Sequence, residues 1–289
     1  TIMHLLNQIQ NDEIVLPAIQ RDFVWDEQKT EKLLDSILRG YPIGLALLWE
    51  TYEDLQYRTF GRDFRPGQLY TYRDNTQGRR LKLVLDGQQR LQSLYIALFG
   101  TREGKRLYFD VLSGEASDDV AEERFFFYFL AAEEADERNE AARDEANVPE
   151  EERDPDLIEW LLPVADLYRL GAKEKNLIRA LTTDLHLTED ENLRVDVNLS
   201  LLDEVLTKDQ NILRVSTIDE GLPGNSQSRK SEADVLEVFV RINREGIQLS
   251  RSDLIFSMLK LNWKESAEAL PEFVLSVNDG NSFAIDADS

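Results

Sequence analysis

The chain has 289 residues, 42% of them hydrophobic, with 56 Asp and Glu against 33 Lys and Arg and a formal net charge of −23. That length buries a core of its own, and no apolar run reaches the roughly eighteen residues a membrane-spanning helix needs, so a cytoplasmic protein with no membrane partner is expected. With no Cys and 2 His there is no disulfide framework, no thiolate site and no zinc pattern, and with this acidity any hold on nucleic acid or phosphate must be local.

Two readings of the acidity stand. One is a salt-loving host, whose molar salt shortens the Debye length to roughly 3 Å and screens the self-repulsion; the other is an ordinary acidic protein with one acidic arm. The start, TIMHLLNQIQ, has no basic flank before a long apolar stretch, and the end, NSFAIDADS, carries no terminal motif. The sequence therefore reads as a piece of a longer polypeptide.

In chain order, Thr1 to Gln10 reads as a short helix, and EIVLPAIQRDFVW as extended. Asp26 has the form of an N-cap for a helix that presents Leu33, Leu34, Ile37 and Leu38 on one face before Gly40 and Pro42 end it. IGLALLWE is a buried strand, and Tyr52 to Gly78, rich in Arg, Gly and aromatic residues, is expected to be a loop or hairpin over the surface. In LKLVLDGQQRLQSLYIALFG the apolar period changes from two at Leu81, Leu83 and Leu85 to helical at Leu91, Leu94, Tyr95 and Leu98. Between strand and helix stand Asp86, Gly87, Gln88, Gln89 and Arg90.

Beyond Gly100, KRLYFDVLSG and RFFFYFLA read as strands. Ala131 to Asp156 holds twelve acids against three Arg, which suits a solvated helix or arm and lacks a fixed metal-ligand spacing. From Asp156 onward the pattern is mainly helical, with a last informative helix from about Ser231 that carries Val235, Phe239 and Ile242 and ends at Gly246. Ser250 and Asp253 then form a capping-box pattern. Alternating strands and helices give an α+β or α/β core.

A strand that ends in Asp-Gly and opens a helix presents the unpaired amides of the first helical turn, which with the helix dipole favour an anion. Gly87 lets backbone approach the ligand, Arg90 adds a bidentate contact, Gln88 and Gln89 hold a water or a base edge, and Asp86 binds a metal or orients a nucleophile. The same residues also suit a plain capped helix, with Asp86 as N-cap, Gly87 as turn residue and the rest on the surface. Gln20 and Arg21, before Phe23 and Trp25, have the form of a nucleotide or nucleic-acid contact, although a surface ion pair is the commoner fate of such an Arg. Neither a Walker A loop nor a Gly-x-Ser-x-Gly elbow is present.

Taken together and in order, LPAIQRDFVW, ILRGYPIGLALLW, LVLDGQQRLQSL and FVRINREGIQLSRSDL resemble the N-terminal domain of GmrSD-type restriction endonucleases, with DGQQR as signature. The resemblance implies an α+β fold with a ParB/sulfiredoxin-like core over 1–114, an acidic insertion or arm over 115–156, and a mostly helical part over 157–289. It implies a nucleoside-triphosphate-binding and hydrolysing sensor domain of anti-phage defence acting on modified DNA, with Mg²⁺ as cofactor. The alternative is a DNA- or modified-base-binding module without chemistry that recruits a nuclease. Carried onto this sequence, the catalytic positions are Asp86, Gln88, Gln89 and Arg90, and the nucleotide-binding positions Gln20, Arg21, Gly87, Arg241 and Asn243. Two departures stand out. Ile19 replaces a residue that is often aromatic in the family, and the nuclease half, with its His and Asn, has no counterpart here and is expected beyond residue 289 or on a partner.

Overall fold

In the computed structural model, which describes residues 1–18, 20, 22–115, 123–148, 152, 154, 159–170, 185 and 187–244, the runs IVLP, GLALLWET and LKLVLD pair side by side within one sheet. These are β1 (Ile14–Pro17), β2 (Gly44–Thr51) and β6 (Leu81–Asp86). Around them lie β3 (Gln56–Arg58), β5 (Arg73–Asp74) and β11 (Leu213–Ile218), in the order β11-β2-β6-β1-β3-β5. The sheet is mixed: β1 runs parallel to β6 and β11 parallel to β2, while β2 and β6 are antiparallel. Two smaller sheets pair β4 (Asp63–Phe64) with β7 (Thr101–Arg102), and β8 (Arg106–Asp110) with β9 (Phe127–Leu130) and β10 (Leu161–Pro163).

The central strands read as continuous apolar runs because both faces of the sheet are covered. Ile14, Leu16, Ala46, Leu48 and Val84 face a core to which α1 (Ile2–Gln10), α2 (Glu27–Leu38), α3 (Gln88–Phe99) and, through Val205, α6 (Glu189–Thr207) contribute. Val15, Leu47, Trp49, Leu81, Leu83 and Leu85 face the other way and meet Val235 of α7 (Glu232–Arg244). Between these elements in the chain come α4 (Ala132–Ala146) and α5 (Val164–Leu170). The fold is α+β.

Local signals set the helix starts. Thr1 caps α1 by accepting from the His4 amide, and Asp26 caps α2 by accepting from the Lys29 amide at 2.8 Å. The helix expected from Leu91 begins three residues earlier, at Gln88, and buries almost every residue it has. Gly100 ends it where no side chain fits, since a Cβ there would stand 1.9 Å from the Arg62 carbonyl oxygen.

Two stretches differ from what the sequence pattern led us to expect, and a third, the acidic run, is the solvated helix the pattern suits. Tyr52 to Gly78 is not confined to the surface: it contributes β3, β4 and β5 and buries Tyr57, Phe60 and Phe64. The largely helical C-terminal stretch contains two strands, β10 and β11, and β11 pairs with β2 over six successive residues. The acidic run forms α4, which buries Ala135, Ala142 and Ala146 while its carboxylates face out. Asn139 fastens that helix by bonding both the amide and the carbonyl of Leu161, at 2.8 and 2.9 Å. Gly246 and the Ser250–Asp253 pattern lie outside the described residues. Among the described residues no helix is long and apolar enough to cross a membrane.

Candidate functional site

The junction of β6 and α3 is a single left-handed residue. Gly87, at φ 88°, is the N-cap of α3 and makes no side-chain cap bond, so Asp86 is not the cap of that helix. A Cβ at Gly87 would lie 3.1 Å from the Leu45 carbonyl oxygen and 3.2 Å from the Ala46 Cα. Both the dihedral and the clearance therefore demand glycine. Asp86 closes β6 opposite Leu47, where the pairing register with β2 shifts.

Arg90, one turn into α3, folds back over the start of β2. Its guanidinium donates to the Leu45 carbonyl oxygen at 2.6 Å and lies 3.4 Å from the Asp86 carboxylate. It packs beside Gly44, whose added Cβ would stand 3.5 Å from the guanidinium, and its Nε is buried without a hydrogen-bond partner. Asp86, at 39% side-chain exposure, and Arg90, at 24%, remain open to solvent.

The amides of the motif face inward. Gln89 is buried; its carbonyl oxygen accepts the amides of Val24 at 2.9 Å and Trp25 at 3.3 Å, and its NH₂ donates to the Asp22 carbonyl at 2.9 Å. Arg102 holds the same segment through the Trp25 carbonyl at 2.8 Å. Gln20 is buried too and donates to the carbonyls of Val84 and Leu85, both at 3.0 Å, at the end of β6. The segment after β1 is thus laced to the strand and helix that flank Gly87. Gln88 is also buried.

The structure therefore brings Asp86, Gly87, Gln88, Gln89, Arg90 and Gln20 into one neighbourhood. Arg241 stands exposed on α7 and pairs with Glu237 on the same helix. Asn243 belongs to α7 and its side chain lies outside the described residues, as does the whole of Arg21. Sequence reasoning missed the role of Gly44 and Leu45, whose backbone receives Arg90. The signal was there, because a glycine inside a strand pattern marks a close approach of other groups.

The family model described as the N-terminal domain of GmrSD restriction endonuclease matches residues 2–260. A protein of Methanocaldococcus jannaschii described as uncharacterized is 35% identical over 98 residues. That match covers 34% of this chain and 17% of the relative's own length.

Proposed function

The chain belongs to the GmrSD restriction endonuclease N-terminal domain family, and from that premise we propose that it is the nucleoside-triphosphate-binding and hydrolysing sensor module of a restriction system acting on modified DNA. What carries the reading is the uncapped start of α3 behind a left-handed Gly87, with Arg90 alongside. A helix start of this kind concentrates amide donors and the positive end of the helix dipole on an anion. The phosphates of the nucleotide lie over this turn. Arg90 offsets charge on the phosphoryl oxygens, for which it exchanges part of its present contact with Leu45 and Asp86.

Asp86 is the carboxylate the turn offers, and its exposure suits a Mg²⁺ ion, which keeps several waters and takes one or two carboxylates beside the phosphates. When bound, that ion would draw charge from the phosphate oxygens. Gln20 and Gln89 act on the backbone: Gln20 bonds the end of β6, and Gln89 holds Asp22, Val24 and Trp25 beside the turn. The partner nuclease half and the DNA belong to the same proposal.

One observation favours the second reading, a module that binds DNA or a modified base without chemistry. Gln89 is engaged by three backbone groups, which takes it away from positioning a water. Titration calorimetry with GTP, CTP, UTP and ATP in Mg²⁺, beside phosphate release, separates the two. Hydrolysis of at least one triphosphate is expected, with Arg90→Ala weakening affinity or turnover about ten- to hundredfold and leaving the melting temperature almost unchanged. A protein that binds none of the four leaves the turn without a nucleotide, and one that binds without phosphate release is the module of the second reading.

A further inference from the structure

The turn at Gly87 lies at one end of the central sheet, and three strands meet there. β6 finishes at Asp86, while β2 and β11, which run the opposite way to β6, begin at the same end with Gly44 and Leu213. The second residue of β11 is Arg214, and the ladder sets it beside Leu45. Leu45 is also the residue whose carbonyl oxygen receives the Arg90 guanidinium. Two arginines far apart in the chain thus flank one residue of β2.

The faces agree as well. Side chains alternate along a strand, and paired residues of neighbouring strands share a face. Leu45 is on the face of Leu47 and Trp49, the one that meets Val235 of α7. Arg214, beside Leu45, and Asp86, opposite Leu47, stand on that same face. Two strand spacings, about 10 Å, separate the backbone of Arg214 from that of the turn. Arg90, folded over the start of β2, covers part of the gap.

Arg214 is exposed, and its guanidinium makes neither a hydrogen bond nor an ion pair among the described residues. Other arginines near this end are engaged. Arg39, just before β2, pairs with Asp35 at 3.5 Å, and Arg102 donates to the Trp25 carbonyl. Arg90 has the Asp86 carboxylate beside it. One arginine so compensated leaves most of the charge of a triphosphate unbalanced, and a second guanidinium supplies what is lacking.

We infer that Arg214 is a further binding residue of this site, which takes the outer phosphoryl oxygens of a nucleoside triphosphate while the turn and Arg90 hold the inner ones. The inference rests on the nucleotide reading of the turn and deepens it. An extended anion suits a gap of that length better than a single phosphoryl group does, so Arg214 favours the polyphosphate chain over a monophosphate.

The test is titration of the whole chain in Mg²⁺ with GTP, CTP, UTP and ATP, their monophosphates, and inorganic triphosphate. Wild type is compared with Arg214→Gln, Arg214→Lys and Arg73→Gln, the last an equal change of charge on β5 at the far edge of the sheet. Arg214→Gln is expected to weaken the binding of triphosphates, the inorganic one included, about tenfold or more, and that of monophosphates less than about threefold. Arg214→Lys should recover part of the loss by returning the charge, and Arg73→Gln should bind as wild type does. The ratio of triphosphate to monophosphate affinity within each variant is the readout, which a smaller folded fraction does not move. Triphosphate binding that survives Arg214→Gln overturns the inference and leaves the proposed function standing, and so does a loss that is equal for mono- and triphosphates or equal in Arg73→Gln. If wild type binds no triphosphate, the nucleotide reading and this inference fall together. Triphosphate held through Arg214 without phosphate release upholds the inference while hydrolysis falls.

Discussion

The turn at Gly87 and the corner at Asp110 both bury polar side chains, but to opposite ends. At the corner, Asp110 accepts the amides of Leu112 at 3.0 Å and Trp160 at 2.9 Å, and burial pushes its carboxyl up to about 6. It is sealed in and serves only to fasten β8 to the segment before β10. At the turn, the buried Gln20 and Gln89 fasten backbone in the same way, while Asp86 and Arg90 beside them stay accessible. A buried polar group is therefore no mark of a site. The mark is an open residue that such groups hold in place.

The sharpest way to break this comparison is at two glycines with almost the same dihedral. Gly87, at φ 88°, is crowded by the β2 backbone, whereas Gly104, at φ 86°, has nothing within 4 Å of an added Cβ. Gly104→Ala should cost only the conformational penalty of about 1 kcal/mol, and Gly87→Ala about 2 to 4 kcal/mol together with nucleotide binding. Denaturant melts of the two variants read the difference, and equal costs would mean that the turn is not tightly built.

Next in size is Asp110. Its carboxyl is raised in the folded state, so the native protein holds that proton more tightly than the unfolded chain. The group's contribution is complete below about 3.8 and is lost as pH rises through about 6. The loss is on the order of 3 kcal/mol at most. Asp110→Asn keeps an acceptor for both amides and should abolish this part of the pH dependence, so that wild type loses stability relative to the variant between those two pH values. Paired melts across that window that run parallel would contradict the sealed corner.

Gln89→Leu should cost about 1 to 3 kcal/mol, because it strands the amides of Val24 and Trp25 and the carbonyl of Asp22. Its effect on nucleotide affinity in folded protein should stay below about tenfold. A variant that melts like wild type yet turns over slowly would return Gln89 to the chemistry. Smallest on stability is Arg90→Ala, whose consequence belongs to binding.

What the sequence makes legible follows the range of the forces involved. The Asp26 cap, the amphipathic face of α2 and the change of period at Gly87 are local, and each stands where the pattern places it. The partners of Gln89 lie 64 to 67 residues away in the chain, and no local pattern names them. The edge strand β11 was hidden for another reason. Its apolar alternation is only Leu213 and Val215, set off by Arg214 and Ser216, too short to stand out, and its ladder with β2 makes it a strand. In Tyr52 to Gly78 the many charges mask two anchors, Phe60 and Phe64, and in α4 the buried face is made of alanines too small to announce themselves.

That ladder also fixes the order of assembly. Trp49 of β2 donates to Asp219, 170 residues further on, and the Glu50 carbonyl accepts from Arg229, 179 residues on. Contacts of such sequence separation are made late, after the entropy of closing a long loop has been met. During synthesis β2 waits with a bare edge until the chain has emerged past residue 229, and at about 5 to 20 residues per second that interval is on the order of ten seconds or more. The nascent chain is then at its most prone to pair with the wrong strand, and the edge exposed meanwhile is the one away from β6, opposite the side on which Leu45 receives Arg90.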